Sequence, residues 1–249
     1  MQVFEMRFLP SISANGAKQM AIDEAILLAR GEGLVPDSLR FYSWKPPCVS
    51  IGYFQSAKLE VDSEKARQQG VDIVRRYTGG GAVFHDSELT YSIVISEQRL
   101  PKDIIESYKH ICGFVVRALK KLRLPAKFAP INDIIVNSRK ISGNAQTRRN
   151  GIVLQHGTVL LNVDINKMFS LLRVPDEKQK HKLVLGVTSV SQELGRELEF
   201  EELASAMRAS AIEHFKLRLK ESPLTEAEVR KANELKSSKY GNKGWTFCR

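Results

Sequence analysis

The sequence predicts an α+β, or mixed α/β, fold in which a mixed β-sheet is flanked by helices. Short runs rich in β-branched and aromatic residues alternate with amphipathic helical segments over roughly the first two thirds of the chain. From Ile165 onward the pattern is mainly helical. We therefore expect a single domain over residues 1–249, with a main α/β body over 1–199 and a helical C-terminal extension over 200–249.

The first half of the body begins with a helix and continues with short strands. Apolar residues recur at helical spacing over 16–30, which predicts an amphipathic helix, and residues 61–69 also read as helical. Two further runs flank Pro46–Pro47 and predict strands joined by a turn. The predicted strands of this half are SLRFYSW, CVSIGYF, VDIVRRY and LTYSIVIS.

The second half repeats this alternation before the chain becomes helical. An apolar stripe predicts a long helix over Asp103 to Leu122. The strands predicted after it are DIIVN, KISGNAQ and GIVLQHGTVLLNVD, each separated by turn residues. Helices are predicted near 165–172, 200–220 and 225–238.

Composition excludes several classes of protein. The chain has 249 residues, 43% of them hydrophobic, yet no apolar run approaches the roughly 20 residues that span a bilayer. The N-terminus lacks the pattern of a signal peptide, so we expect a soluble cytoplasmic protein without a membrane partner. Three cysteines without a CxxC pair and five scattered histidines without HExxH argue against a disulfide scaffold and a transition-metal site.

Positive charge is concentrated in one segment. The formal net charge is +10, and residues 99–149 hold twelve lysines and arginines against three acidic residues, a net +9. Such a field attracts nucleic acid, nucleotides or an acidic protein. A solvated lysine-rich surface is the alternative, and charge alone does not decide. Because no zinc knuckle, helix-turn-helix or aromatic-interleaved basic strand appears there, we do not expect nucleic acid as a partner.

A glycine loop is the strongest local signal. The stretch RRYTGGGAVFHD, residues 75–86, leads from a predicted strand into three consecutive glycines. Such a loop can turn successive N–H groups toward one point and bind anionic oxygens. Arg75 and Arg76 should alternate in direction, one toward the cargo of the loop and the other toward solvent or a partner. The loop is neither a Walker A motif nor GxGxxG, and a ligand-free turn is the alternative.

A second stretch, NDIIVNSRKISGNAQTRRNG, carries a candidate cation and a candidate carboxylate. Lys140 stands on a short strand just before Ser142–Gly143, where a compact positive charge could act on a group being transferred. Asp133 could help to hold Mg²⁺. Taken singly, each residue is also explained as a surface residue.

Together these segments resemble the lipoate–protein ligase family, in particular the archaeal-type catalytic subunit, within the biotin/lipoate ligase and acyltransferase superfamily. The resemblance covers roughly residues 15–175. It is carried by RRYTGGGAVFHD, NDIIV..RKISGNAQ and LQHGTVLL, by the entry segment MAIDEAILL…LRFYSW…VSIGYFQ, and by the tail LTEAEVRKANELKSSKYGNKGW. It implies the mixed sheet with flanking helices that these ligases share with biotin–protein ligases.

The resemblance implies an ATP-dependent lipoate–protein ligase. Such an enzyme activates lipoate or octanoate to an acyl-AMP and transfers the acyl group to a lysine of a lipoyl domain, with ATP and Mg²⁺ as cofactors and lipoate as substrate. The implied acceptor is an E2 subunit, the glycine-cleavage H protein or a relative. Since the small C-terminal domain of single-chain ligases is missing here, a separate accessory subunit is expected to replace it.

The resemblance also implies roles for individual residues. Lys140 would be catalytic and would contact both the carboxylate and the phosphate. His85 and His156 would be wall or supporting residues, although a structural role explains them equally well. The implied ATP-binding residues are Arg76, Gly79, Gly80, Gly81, Ala82, Val83, Phe84 and Lys140; the implied lipoate-binding residues are Lys140, Arg76, His85 and Gly143; Asp133 is the possible Mg²⁺ ligand.

An octanoyl transferase of the same fold is the alternative. Such enzymes use no ATP and take the acyl group from a carrier, often through a cysteine. The segments LTYSIVISE and GNAQTRRNGIVLQHG are as close to transferases as to ligases. In the relevant transferases the cysteine lies shortly before the NDI-like strand, and LRLPAKFAPINDIIV has none; Cys48, Cys112 and Cys248 read as structural or incidental thiols. On this ground the ligase is the leading expectation.

Overall fold

Two β-sheets form the framework of the protein, as seen in a computed structural model that describes residues 4–174 and 176–249. The large sheet has eight strands in the order β11-β1-β2-β6-β10-β9-β8-β7, and the small sheet has three in the order β4-β3-β5. The strands are β1 (Phe4–Ala14), β2 (Ser38–Trp44), β3 (Cys48–Ile51), β4 (Asp72–Arg75), β5 (Val83–His85), β6 (Glu88–Ser96), β7 (Lys127–Ala129), β8 (Asp133–Val136), β9 (Arg139–Arg149), β10 (Ile152–Leu160) and β11 (Leu217–Glu221).

Pairing in both sheets is mixed. Strand β1 is parallel to β2 and β11, whereas β2, β6, β10, β9, β8 and β7 pair antiparallel in that order. In the small sheet, β3 is parallel to β4 and antiparallel to β5. The mixed sheet predicted from the sequence is therefore confirmed.

Ten α-helices flank these sheets in the described residues. They are α1 (Gly16–Gly31), α2 (Ala57–Glu60), α3 (Ser63–Gln68), α4 (Ile104–Lys121), α5 (Ile165–Leu171), α6 (Glu177–Leu185), α7 (Val190–Leu194), α8 (Phe200–Phe215), α9 (Glu226–Leu235) and α10 (Lys243–Thr246), with a 3₁₀ turn at Glu97–Arg99 and a π-helical turn at Lys236–Tyr240. In these ranges no helix is both long and apolar enough to cross a membrane.

Helices cover both faces of the large sheet because alternate residues of its strands are apolar on both sides. Ile93 and Val153 point into the core that α4 and α8 cover. Val94 and Leu154, one position further along, point to the opposite face and pack under α1 and α9. Sequence neighbours thus belong to different cores, and both central strands are buried along almost their whole length.

The C-terminal extension differs from the predicted all-helical segment. Helix α8 ends at Phe215 rather than near residue 220, and Lys216 takes a left-handed conformation with φ of 51°. Residues Leu217–Glu221 then form β11, which pairs parallel with β1 at the edge of the large sheet. Helical periodicity before and after this short strand concealed it, since four or five residues give little pattern of their own.

Arg75 is fully buried and joins two segments that lie far apart in sequence. Its guanidinium donates to the carbonyl oxygens of Gly52 (2.9 Å), Tyr53 (3.1 Å) and Gln55 (2.7 Å). It also donates to the carbonyl oxygens of the C-terminal residues Trp245 (3.1 Å) and Thr246 (3.0 Å). The expectation that one arginine of the pair faces solvent or a partner is therefore wrong, because Arg76 is buried as well.

We predict that Arg75→Met lowers the free energy of unfolding by about 3 kcal/mol, because several buried carbonyl groups lose a charged hydrogen-bond donor. Chemical denaturation measures the change. Arg149→Met is the matched control, since Arg149 is exposed and contacts only the hydroxyl of Tyr77 among its hydrogen-bond partners in the described chain. The control should stay within about 0.5 kcal/mol of the wild type. Equal midpoints for the two variants would contradict the prediction.

Candidate active site

A cleft of about 580 Å³, including its open mouth, lies between the two sheets. The large sheet contributes residues of β2, β9 and β10, the small sheet contributes β3 and β5, and the glycine loop joins β4 to β5 at the cleft. Its apolar wall includes Met20, Tyr42, Trp44, Ala82, Val83 and Ala145. Its polar wall includes Ser50, Arg76, His85, Asn132, Lys140 and His156. This combination suits a ligand with an apolar chain and a polar head.

The glycine loop lies directly on the backbone after β3. A Cβ on Gly52 would stand 2.0 Å from the carbonyl oxygen of Gly80, so the close approach requires glycine at position 52. Gly80 has a φ of 91°, which strains any residue with a side chain. A Cβ on Gly79 or Gly81 would meet no protein atom within 4 Å. The loop is thus tight on its protein side and open elsewhere.

Arg76 occupies the inside of this loop. Its Nη2 donates to the carbonyl oxygens of Gly79 (2.7 Å) and Gly81 (2.8 Å), and the side chain is only 4% exposed. Burial lowers the pKa of Arg76 to about 10, which leaves it charged at neutral pH. Within the described chain, no protein group accepts from the N–H groups of Gly79, Gly80 or Gly81. The carbonyls therefore hold the arginine, and the N–H groups stay available to an anionic oxygen.

Two hydroxyl groups continue from Arg76 to histidines. Nε donates to Thr78 Oγ1 (3.2 Å), which contacts His156 Nε2 at 2.7 Å. Nη1 donates to Ser50 Oγ (3.2 Å), which contacts His85 Nε2 at 2.7 Å. Arg76 is thereby the centre of two hydrogen-bonded chains.

Each chain ends at a buried carboxylate. His156 Nδ1 lies 3.1 Å from Asp23 Oδ2, and His85 Nδ1 lies 2.6 Å from Glu88 Oε1. Burial lowers the pKa of His156. Burial opposes ionisation of Asp23, but the Arg40 guanidinium and His156 together hold its pKa below the usual value. Two buried carboxyl side chains thus lie at the far ends of the hydrogen-bonded chains that start at Arg76, and Asp23 also pairs with Arg40 at 3.4 Å.

Lys140 reaches the cleft from a bulge in β9. The β8–β9 register shifts between Ile134 and Ile135, and such bulges redirect side chains next to functional sites. Lys140 Nζ lies 2.7 Å from Asp133 Oδ1, and its side chain is 43% exposed. A Cβ on Gly143 would lie 3.0 Å from Lys140 Cε, so glycine leaves room for the lysine stem. The backbone of Lys140 is fixed by hydrogen bonds to residues 186 and 188.

Most of the predicted site residues meet at this cleft. Arg76, Gly80, Gly81, Ala82, Val83, His85, Lys140, Gly143 and His156 line it. Gly79 is in the adjoining loop and contacts Arg76 through its carbonyl. Phe84 is different: it is 1% exposed and packs with Val49 and Ile51 in the core behind the small sheet. It therefore does not line the passage, because its neighbour Val83 takes the cleft side of β5. The ligands assigned to these residues stay predictions.

Asp133 pairs with Lys140 in this structure. In residues 4–174 and 176–249 no group of three or more His, Cys, Asp and Glu side chains is arranged to hold a metal ion. The assignment of Asp133 as a Mg²⁺ ligand therefore stays a prediction without a surrounding cluster to support it.

The three cysteines are not among the residues that line the cleft. Cys48 and Cys112 are buried, and Cys248 is exposed near the C-terminus. Burial raises the pKa of Cys112 to about 12 and that of Cys48 well above its usual value, so both thiols stay protonated at neutral pH. No thiol belongs to the cleft lining within the described ranges.

Sequence reasoning missed two aromatic residues and a serine of the cleft, and a carboxylate that lies behind it. Tyr42 and Trp44 alternate on β2, and this period of two in SLRFYSW was the available signal for a shared aromatic wall. Asp23 lies on the buried part of α1, where a carboxylate among apolar residues signals a hidden partner. Ser50 carried no signal, since a serine in a short strand is common.

Comparison with known proteins identifies relatives over nearly the whole chain. The lipoyl protein ligase A/B catalytic domain family matches residues 15–212. A protein named octanoyltransferase LipM from Symbiobacterium thermophilum is 38% identical, covering 97% of each chain. The octanoyltransferase LipM of Bacillus subtilis is 31% identical over 100% of both chains.

Solved structures show the same fold. A bi-partite lipoate protein ligase from Thermoplasma acidophilum, described with its E2 lipoyl domain, has a TM-score of 0.87 and 32% identity, covering 98% of this chain and 96% of that one. Lipoate-protein ligase A bound with ATP has a TM-score of 0.87 and 31% identity, covering 98% and 99%. The lipoate-ligase fold expected from the motifs is confirmed.

The expected ATP-dependent ligase activity, however, is contradicted. The full-length relatives at 31–38% identity are named octanoyltransferases rather than ligases. The transferase alternative fits them better. The absence of a cysteine before β8 led to the expectation of a ligase, but it does not exclude a transferase.

We predict that Gly52→Ala lowers the free energy of unfolding by about 1–3 kcal/mol, because the new methyl group collides with the Gly80 carbonyl. The amide of Tyr53, which donates to the Thr78 carbonyl, should exchange its hydrogen faster. Gly31→Ala is the control, since a Cβ there meets nothing within 4 Å at the end of α1. Unchanged stability and exchange in Gly52→Ala would contradict this account of the loop.

Proposed function

The chain belongs to the lipoyl protein ligase A/B catalytic domain family, and from that membership we propose that it is an acyltransferase. It moves an octanoyl or lipoyl group from the thioester of a carrier to a lysine of an acceptor protein, without ATP. The observation that carries the proposal is the 38% identity to an octanoyltransferase over 97% of both chains.

The cleft supports this proposal through its two kinds of wall. Met20, Tyr42, Trp44 and Val83 give an apolar surface on which an acyl chain can be buried. Lys140 supplies positive charge at the same cleft. An acyl thioester has this same division between an apolar chain and a reactive polar end.

Lys140 is suited to stabilise the transition state. When an amine attacks a thioester carbonyl, negative charge grows on the carbonyl oxygen, and a fixed ammonium group favours that charge. The Asp133 carboxylate lies 2.7 Å from the Lys140 ammonium at the edge of the cleft. In the overall reaction a C–N bond forms, the C–S bond breaks, and the proton lost by the amine leaves with the carrier thiol.

A lipoyl domain is the proposed acceptor. A structural relative at 32% identity is described together with its E2 lipoyl domain. An E2 subunit, the glycine-cleavage H protein or a relative would present the lysine, and the net +9 of residues 99–149 would favour an acidic acceptor. The separate accessory subunit, ATP and Mg²⁺ were expected for a ligase; no observation tests them, and the proposed transfer uses none of them.

The decisive experiment offers the protein two donors. One mixture contains an octanoyl-carrier thioester and a lipoyl domain without ATP; the other contains free octanoate or lipoate with ATP and Mg²⁺. The mass of the lipoyl domain is measured in each. We expect modification in the first mixture. Modification that occurs only in the second mixture would overturn the proposal.

We predict that Lys140→Met lowers kcat/KM for thioester-dependent transfer by about 10²–10³, because one transition-state cation is lost. The denaturation midpoint should change little, since the Lys140–Asp133 pair is partly exposed. Lys127→Met, on the exposed part of the edge strand β7, is the control and should keep wild-type kinetics. If Lys140→Met and Lys127→Met have the same kcat/KM, Lys140 does not stabilise the transition state.

A further inference from the structure

We propose that Ser50 accepts the acyl group as an oxygen ester during the transfer, with His85 and Glu88 moving its proton. The inference rests on the acyltransferase function proposed above and names the nucleophile of the same cleft. It starts from the fact that no cysteine thiol lines the cleft in the part of the chain that the structure describes, although a serine hydroxyl does.

The three side chains have the contacts of a serine–histidine–carboxylate triad. Ser50 Oγ lies 2.7 Å from His85 Nε2, and His85 Nδ1 lies 2.6 Å from Glu88 Oε1. A carboxylate at Nδ1 selects the tautomer whose Nε2 can take a proton from the hydroxyl. Ser50 Oγ can therefore donate to His85 and become the attacking atom.

Neighbouring groups hold this triad in place. The ring of Trp44 stacks on His85 with centroids 4.0 Å apart and an interplanar angle of 14°. The hydroxyl of Thr90 donates to Glu88 Oε1 at 2.6 Å. Both contacts restrict the rotation of side chains that must stay aligned for proton transfer.

Arg76 supplies the positive charge beside the hydroxyl. Its Nη1 donates to Ser50 Oγ at 3.2 Å and to the Ser50 carbonyl oxygen at 3.0 Å. A guanidinium at this distance favours the partial negative charge that Oγ carries while His85 takes its proton. Ser50 is 1% exposed in total but belongs to the cleft wall, so an ester formed there would be shielded from bulk water.

The second hydroxyl chain around Arg76 provides an internal comparison. Thr78, His156 and Asp23 repeat the order hydroxyl, imidazole and carboxylate, and Thr78 also accepts from Arg76. Thr78 is fully buried and does not belong to the cleft wall, whereas Ser50 does. Both histidines line the cleft, but the hydroxyl stands at the cleft in one chain and behind it in the other. This asymmetry assigns the nucleophile to Ser50.

The transfer takes place in two steps, formation of the Ser50 ester and its breakdown by the acceptor amine. In the first, Ser50 Oγ attacks the thioester carbonyl, the C–O bond forms, the C–S bond breaks, and the hydroxyl proton passes through His85 to the departing thiolate. In the second, the acceptor amine attacks the ester, the C–N bond forms, and the C–O bond breaks. The amine proton returns through His85 to Ser50 Oγ. No oxidant, nucleotide or metal ion enters either step.

The test uses the wild-type protein with octanoyl-carrier thioester and no acceptor. After acid quenching, intact mass and peptide mapping should show one octanoyl group on the peptide that contains Ser50. Adding a lipoyl domain should remove this adduct and modify the domain at a rate no slower than turnover. Ser50→Ala should form no adduct and should lose transfer by at least about 10³.

Two further variants separate chemistry from support. Thr78→Val removes an equivalent hydrogen bond to Arg76 and should still give the Ser50 adduct. Ser50→Cys should trap a thioester at the same position, which hydroxylamine cleaves, and this variant keeps the test valid if Ser50→Ala folds poorly.

The outcomes distinguish this inference from the proposed function. If the wild type modifies the lipoyl domain from the thioester without a Ser50 adduct at any time within a turnover, the nucleophile is wrong and the acyltransferase stands. Transfer at the wild-type rate by a folded Ser50→Ala variant would also show that Ser50 is not the nucleophile, while the acyltransferase proposal stands. If the wild type neither transfers the acyl group nor forms an adduct, both proposals fail.

Discussion

The buried guanidinium of Arg76 is the constraint on which the cleft depends. A charge this deep must be surrounded by acceptors, and the protein supplies loop carbonyls on one side and two hydroxyls on the other. The glycine loop bends around the arginine, which donates hydrogen bonds to the carbonyl oxygens of Gly79 and Gly81. In the described part of the chain, no protein group accepts from the N–H groups of Gly79, Gly80 or Gly81. The hydroxyl groups of Ser50 and Thr78 both accept hydrogen bonds from this cation. The shape of the loop and the polarity of the cleft therefore have one cause.

The neighbouring Arg75 performs a different task with the same chemistry. It fastens the C-terminal residues Trp245 and Thr246 to the backbone that follows β3. Trp245 returns a hydrogen bond to the Arg75 carbonyl at 2.9 Å. The end of the chain thus supports the strand that enters the glycine loop. Arg75 is the last residue of β4 and contacts the tail, whereas Arg76 directly follows the strand and lines the cleft.

The sequence motifs do not distinguish a ligase from a transferase. Motifs such as RRYTGGGAVFHD and RKISGNAQ contribute residues to one cleft, and the chain that carries them is similar both to octanoyltransferases and to lipoate ligases. What separates the reactions is the source of activation, a nucleotide or a thioester. The absence of a cysteine from one loop does not exclude a transferase. A thioester can also be attacked directly by an amine, or by a hydroxyl group. Similarity along the whole chain carried more information than one missing side chain.

By itself the sequence determined most of the local elements and part of the lining of the cleft. Helical periodicity placed α1, α4 and α9, alternation placed the central strands, and the glycines with Lys140 marked the site, since these signals are short-range. Only the tertiary structure decided that Leu217–Glu221 joins β1 and that Phe84 belongs to a core. It alone brought Ser50, His85 and Glu88 into one chain of contacts. Such contacts join residues whose separation along the chain carries no periodic pattern, so packing of the two sheets fixes them.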